Sequence, residues 1–362
     1  MTRALKLLLA CGLLMAGSTA QAAAQTAPQN GRIAFDACND VGCDIYTANP
    51  DGTAVRRVTH DGSSFYADWS PDGKRIAYAS FVSGFTAIWI VDADGTHARQ
   101  LTPDEPGNDN LWPRFSGDGK TIYYTKCLTS DCDGGISSIH PDGSGQRVVT
   151  PNSGDSYNIG TPSPDGSRLA FMRWHVNGVK MRVYMKRLTG PSPRPEIALT
   201  PPSLEGWAPD WAPGGDALLF SSNLFANRPN GALYELTLDG SGHTDQIRQL
   251  THPPFPLEDW AGMYAPRGDR VVFTSDRRYP GRDGADLFVI RRDGGGLRKI
   301  AMPPAIDELY VEWPSWGTAP LLPAAATSTA RAPRASATGE LCANLHGRAV
   351  MPRVSCGTRA AA

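Results

Sequence analysis

The chain lacks most marks of a catalyst. Its 362 residues include seven histidines. Six of them, His60, His97, His140, His175, His243 and His252, are scattered through turns and strand-like stretches. There is no H-E-x-x-H pair for zinc and no G-x-S-x-G elbow for a serine hydrolase. Asp92-Ala-Asp94-Gly95 opens like a calcium loop, but such a loop needs a glutamate at its twelfth position, and Pro103 stands there. Glycine runs such as Gly294-Gly-Gly296 have no strand-to-helix setting, which excludes a phosphate cradle. Beyond the first two dozen residues no apolar run is long enough for a membrane-spanning helix. No motif implies a cofactor; a Ca²⁺ ion held in a central channel is the one alternative left open.

Neither sign of charge prevails. The formal total of −1 combines +2 in the first 24 residues with +4 after Gly317, so the stretch between carries −7. That disfavours nucleic acid, whose binders usually present a basic face. At the start, Arg3 and Lys6 precede the apolar run Leu7 to Met15, and Ala20-Gln-Ala-Ala-Ala24 follows. This is the pattern of a cleaved secretory signal over residues 1–24, and it places the mature chain in the periplasm or outside the cell. Cys11 follows Leu8-Leu9-Ala10 and sits too early for a convincing lipid acceptor. The remaining cysteines are even in number. Cys38 and Cys43 share the C-x4-C spacing with Cys127 and Cys132, and each pair follows the same strand-like element. Two disulfides bracketing hairpin tips are expected in an oxidising compartment. Zinc is the rival, but no histidines lie nearby.

What the chain has in abundance is one phrase. Asp68-Trp-Ser-Pro-Asp-Gly-Lys-Arg-Ile-Ala-Tyr78 returns at Phe115, Pro162, Trp211 and Tyr264, each time with a glycine turn and an apolar triplet. Each unit continues with a second apolar strand, an Asp-Gly type turn and a basic strand closing on threonine, as in Arg99-Gln-Leu-Thr102 and Arg248-Gln-Leu-Thr251. Asp-Gly between alternating strands is a strong hairpin signal. A period of roughly 50 residues built from four short strands means a radial array. The chain is therefore expected to be all-β, a six-bladed propeller over residues 25–317. The first unit lacks the opening strand, and Leu309 to Trp316 supplies one with nothing after it. The C-terminal strand is expected to complete the first blade and close the ring, which removes open edges. The aromatics Trp69, Phe115, Trp211, Tyr264 and Trp316 read as packing between blades. Residues 318–362, rich in Ala, Pro, Thr, Ser and Arg, read as a disordered tail, with Cys342 and Cys356 able to close a loop in it.

The Trp-Ser-Pro-Asp-Gly phrase, the Ile-Ala-Tyr triplet and the Arg-Gln-Leu-Thr close resemble the TolB-type (PD40, WD40-like) propeller repeat over roughly residues 30–317. The resemblance is specific for fold and weak for function. It implies a periplasmic protein that binds envelope partners, without the α/β domain that precedes the propeller in TolB and without the hydrolase domain of related oligopeptidases.

The loops from each closing threonine to the next aromatic converge on one mouth of the ring. They hold Asp109, Asp155, Glu205, Glu258, Asp259 and Glu312, and the stretches 60–67, 103–112, 151–160, 201–208, 252–261 and 303–312 within them contain no lysine or arginine. Single-sign charge there attracts cations or basic segments. Trp112, Tyr157, Trp207, Trp260 and Trp313 lie in the same loops and read either as lining for a binding site or as rim packing. These residues point to a monomeric scaffold that holds a protein or peptide partner at the cell envelope. A lyase or hydrolase sited in the channel and a glycan-binding sensor remain the alternatives.

Overall fold

The computed structural model describes residues 28–128, 132, 134–150, 155–175, 179–190, 195–222, 231–280 and 284–324. The signal over 1–24 and the Cys342/Cys356 pair lie outside the described residues.

Alternating apolar residues between glycine turns produce strands throughout. After β1 (Ile33–Asn39), β2 (Gly42–Ala48) and β3 (Arg56–Arg57) come five complete blades. Blade 1 is β4 (Ser64–Trp69), β5 (Arg75–Ser80), β6 (Ala87–Asp92) and β7 (Arg99–Gln100). Blade 2 is β8 (Asp109–Phe115), β9 (Ile122–Cys127), β10 (Gly134–Ile139) and β11 (Arg147–Val148). Blade 3 is β12 (Asp155–Pro162), β13 (Arg168–His175), β14 (Val179–Arg187) and β15 (Ile197–Ala198). Blade 4 is β16 (Trp207–Trp211), β17 (Ala217–Ser222), β18 (Ala232–Leu238) and β19 (Thr244–Gln249), and blade 5 is β20 (Asp259–Tyr264), β21 (Arg270–Ser275), β22 (Asp286–Arg291) and β23 (Arg298–Lys299). A four-residue helix, α1 (Pro304–Asp307), precedes β24 (Tyr310–Trp316). The sixth sheet runs β24-β1-β2-β3, so the chain's last strand joins its first. Trp316 pairs with Ile33 and Ser315 with Ala34. The ring is a six-bladed propeller closed at this seam, as the unit count implied.

The recurring phrase has a hydrogen-bond explanation. In the Ser-x-Asp-Gly turns the serine hydroxyl donates to the aspartate two residues on, from Ser70 to Asp72 and Ser116 to Asp118 at 2.6 Å, and from Ser163 to Asp165 at 2.5 Å. The same hydroxyl accepts an N–H at the start of the next strand, from Arg75, Thr121 or Arg168. These bonds hold Asp165 down at about 2. The closing threonines play a matching role. The hydroxyls of Thr59, Thr102, Thr150, Thr200 and Thr251 accept the N–H groups of Ile45, Ile88, Ile136, Val183 and Leu233. Each outer strand ends two residues before its threonine, so the side chain supplies the acceptor there, and buried N–H groups need partners.

The blade aromatics Trp69, Phe115, Trp211, Tyr264 and Trp316 are all at most 7% exposed, so they pack between sheets as expected. Both hairpin-tip disulfides, Cys38–Cys43 and Cys127–Cys132, are present. The chain stays on the ring past Gly317, where the tail was expected to begin. The Arg32 N–H donates to the Ala319 carbonyl, and Leu322 exchanges hydrogen bonds with the Asn49 side chain. Ala319 is buried against Ile76 and Trp69 in one apolar cluster. This strap needs glycine beneath it, because a Cβ on Gly31 would lie 2.2 Å from the Ala319 carbonyl oxygen.

Candidate functional site

The innermost strand of every blade carries a bulge that the repeat phrase does not announce. Tyr66, Trp112, Ile159, Ala208, Ala261 and Trp313 all have φ between 48° and 59°, a left-handed conformation rarely taken by such residues. The ladder slips beside each one, for example between Phe65 and Asp68 and between Leu111 and Arg114. A bulge re-aims its side chain, and here the side chains turn into the centre of the ring. Tyr66, Trp112, Trp207 and Trp313 pack there in tilted and edge-to-face contacts with ring centroids 5.0–6.4 Å apart. Four of the bulges are pinned from the preceding blade. The N–H groups of Tyr66, Ile159, Ala261 and Trp313 donate to the side chains of Asp36, Thr125, Ser221 and Thr274 at 2.8–3.2 Å.

Two groups of carboxyls share this centre. Asp36 and Glu312 face each other across the seam, 1% and 7% exposed. Burial pushes Glu312 up to about 7, and burial together with Glu312 raises Asp36 well above the ordinary carboxylate range. Farther along, at the residue before the blade aromatic, stand Asp68, Arg114 and Asp210. Asp68 accepts the Phe115 N–H at 2.8 Å and the Ser315 hydroxyl at 3.0 Å, with Arg114 at 3.6 Å. Asp210 accepts the Tyr264 N–H at 2.8 Å, and burial pushes it up to about 7. These residues fix blades to one another. Apart from Glu312, sequence reading did not single them out; the signal was there in the charge preceding Trp69, Phe115 and Trp211. Among the described residues, no cluster of three His, Cys, Asp or Glu side chains is placed to hold a metal.

The other expected site residues divide into three groups. Trp112, Tyr157, Trp207 and Trp260 are buried, 2–9% exposed, within the ring rather than on its surface. Asp155 and Asp259 are buried and paired with arginines from the following strand or loop: Asp155 with Arg173, which also meets Glu196 at 2.8 Å, and Asp259 with Arg277 at 2.6 Å. Asp109, Glu205 and Glu258 are half-buried. Glu258 is raised by burial and by Asp276. Those loop stretches hold no lysine or arginine, yet the adjoining elements bring cations to several of their acids, including Lys126 to Glu105 and Lys299 to Asp307. Exposed acids remain at Asp40, Asp61, Asp104 and Glu308.

No family model matches the chain. Among curated proteins it is 27% identical to the uncharacterised protein Atu1656 of Agrobacterium fabrum over 183 residues, 49% of this chain and 60% of that protein. It is 29% identical to a TolB homolog of Chlorobium luteolum over 131 residues, 36% of this chain and 28% of that protein. Among solved structures, TolB of Acinetobacter baumannii superposes with a TM-score of 0.63 at 21% identity, covering 79% of this chain and 66% of that one. The fold is a TolB-like propeller. The chain spans less than two thirds of the length of each of these three proteins. The two disulfides suit an oxidising compartment. Among the described residues no helix is long and apolar enough to cross a membrane.

Proposed function

We propose that this propeller is an exported scaffold that holds a basic protein or peptide segment on the face formed by its inter-blade loops. The observation that carries the reading is the contrast between centre and face. The centre is filled by packed aromatics and by carboxyls already bonded to neighbouring blades. The loop face keeps exposed carboxylates at Asp40, Asp61 and Asp104, whose hydrogen-bond partners, where present, are neutral: Ser63 and Ser64 for Asp61, Ser83 and Gln100 for Asp104. Half-exposed Asp109 and Glu205 extend that negative surface around the ring. Charge of one sign on a rigid frame speeds encounter with an opposite charge and fixes its register. The signal pattern and the disulfides support a periplasmic setting.

The test is calorimetric titration with a synthetic peptide of alternating arginine and leucine, against the mature protein and against a variant carrying Asp61→Asn, Asp104→Asn and Asp109→Asn. Binding that weakens at least tenfold in the variant and in 0.5 M salt is expected. Equal affinity for both proteins overturns the reading.

A further inference from the structure

One sector of the loop face, across the seam blade and blades 1 and 2, combines charge with exposed apolar side chains. Val41 stands at the β1–β2 tip, 50% exposed; Val82 and Phe85 lie in the β5–β6 loop, 50% and 37% exposed; Leu128 follows β9, 41% exposed. Contacts link these points into one surface. The Cys43 N–H donates to the Gly62 carbonyl, and the Phe81 N–H to the Ser63 carbonyl. The Ser83 hydroxyl donates to Asp104 at 2.7 Å, and Glu105 pairs with Lys126, two residues before Leu128. The disulfides Cys38–Cys43 and Cys127–Cys132 stiffen the two outer tips. Among the described residues, the sector carries Asp40, Asp44, Asp61, Asp104, Glu105 and Asp109 against Arg57 and Lys126, which pair with Asp44 and Glu105. Four negative charges are left over among apolar groups, a combination that marks a surface made to be covered.

One segment of this chain has the complementary chemistry. Residues 325–362 carry Arg331, Arg334, Arg348, Arg353 and Arg359 against Glu340, a net +4. Within them, Leu345-His-Gly-Arg-Ala-Val-Met-Pro-Arg-Val354 interleaves four large apolar side chains with Arg348 and Arg353. The point at which the described chain ends also suits this occupant. Leu322 is bonded to Asn49, just past one end of β2, and Val41 lies just before the other end. The seven residues of β2 span about 23 Å. The 21 residues from Ala324 to Leu345 can reach about 70 Å when extended. A tether of this kind raises the local concentration toward the millimolar range, so weak contacts suffice.

We infer that residues 345–354 dock on this sector in the same molecule and compete there with the basic partner. The inference rests on the reading of the loop face given above. The test uses the full chain with Arg348→Gln and Arg353→Gln, and a control with Arg331→Gln and Arg334→Gln. Hydrogen exchange at residues 39–42, 81–86 and 104–108 is expected to quicken at least threefold in the first variant and not in the control. The arginine–leucine peptide is expected to bind the first variant at least threefold tighter than the parent. Unchanged exchange, or an equal change in the control, overturns the docking. If the peptide binds parent and variant alike while exchange is unchanged, the docking fails and the partner-holding face survives. If exchange quickens but the peptide binds neither protein, the docking stands and the partner reading fails.

Discussion

Asp36 and Glu312 stand opposite each other where the last strand of the chain pairs with the first. Like charges directly opposed across a ladder repel, and both side chains are buried. The seam is therefore most favourable when this pair holds a proton.

This gives the ring a pH dependence with a definite sign. Glu312 moves from an ordinary 4.5 up to about 7 in the fold, and Asp210 also reaches about 7. Between those ordinary values and 7 the folded chain keeps protons that the unfolded chain has released. Stability contributed by these groups is full below the unfolded values and is lost as pH rises through about 7, on the order of 3 kcal/mol for Glu312. The melting temperature should be higher at pH 5 than at pH 8. In Glu312→Gln the drop should shrink clearly. A wild-type melting temperature that rises over this interval would contradict the assignment.

The serine of the repeated turn should be worth measuring alone. In Ser163→Ala the Arg168 N–H loses its side-chain acceptor, and the Asp165 carboxylate loses one of its donors while keeping the N–H and hydroxyl of Ser167. A loss of about 1–2 kcal/mol in urea unfolding is expected, with the Asp165 carboxyl, resolved by NMR titration, moving back up from about 2. A carboxyl that stays put would show that the hydroxyl is not its main partner.

Thr150→Val keeps the shape of a fully buried side chain but removes the acceptor for the Ile136 N–H at 2.7 Å. An unsatisfied buried donor costs about 1–3 kcal/mol. Thr150→Ser, which keeps the oxygen, should recover most of it. Equal destabilisation by the two changes would place the effect in packing instead.

Gly317→Ala tests the closure itself. A Cβ there would come within 2.4 Å of Trp69, which is 5% exposed and cannot swing away. Overpacking of this kind costs about 1–3 kcal/mol. Gly240→Ala, with nothing within 4 Å, serves as the control and should be near neutral. A Gly317→Ala protein as stable as its parent would mean that the strap does not pack on Trp69.

The fold was legible because its units repeat. Five copies of the turn phrase and five closing threonines leave one architecture, and the lone strand ending at Trp316 leaves one way to close it. The site was less legible. The acidic loops are as acidic as they read, but Arg173 and Arg277 reach Asp155 and Asp259 from the next strand or the loop after it, a pairing that linear spacing hides. The loop tryptophans fill the centre because a left-handed bulge turns Trp112 and Trp313 inward, and no residue type announces that conformation. The strap at Ala319 was hidden for a similar reason: the strap itself contributes mostly backbone groups, its Arg32–Ala319 bond being backbone to backbone and its Leu322 contacts using only the Leu322 N–H and carbonyl, and these leave no mark on composition.

The most direct test of the account is a hydrogen-exchange footprint of the bound arginine–leucine peptide on the chain carrying Arg348→Gln and Arg353→Gln. Slowed exchange at the 39–42, 60–64, 81–86 and 104–109 loops is expected. Slowing confined to the Ser-x-Asp-Gly turns on the opposite face, or to the inner strands around Trp112 and Trp313, would contradict it.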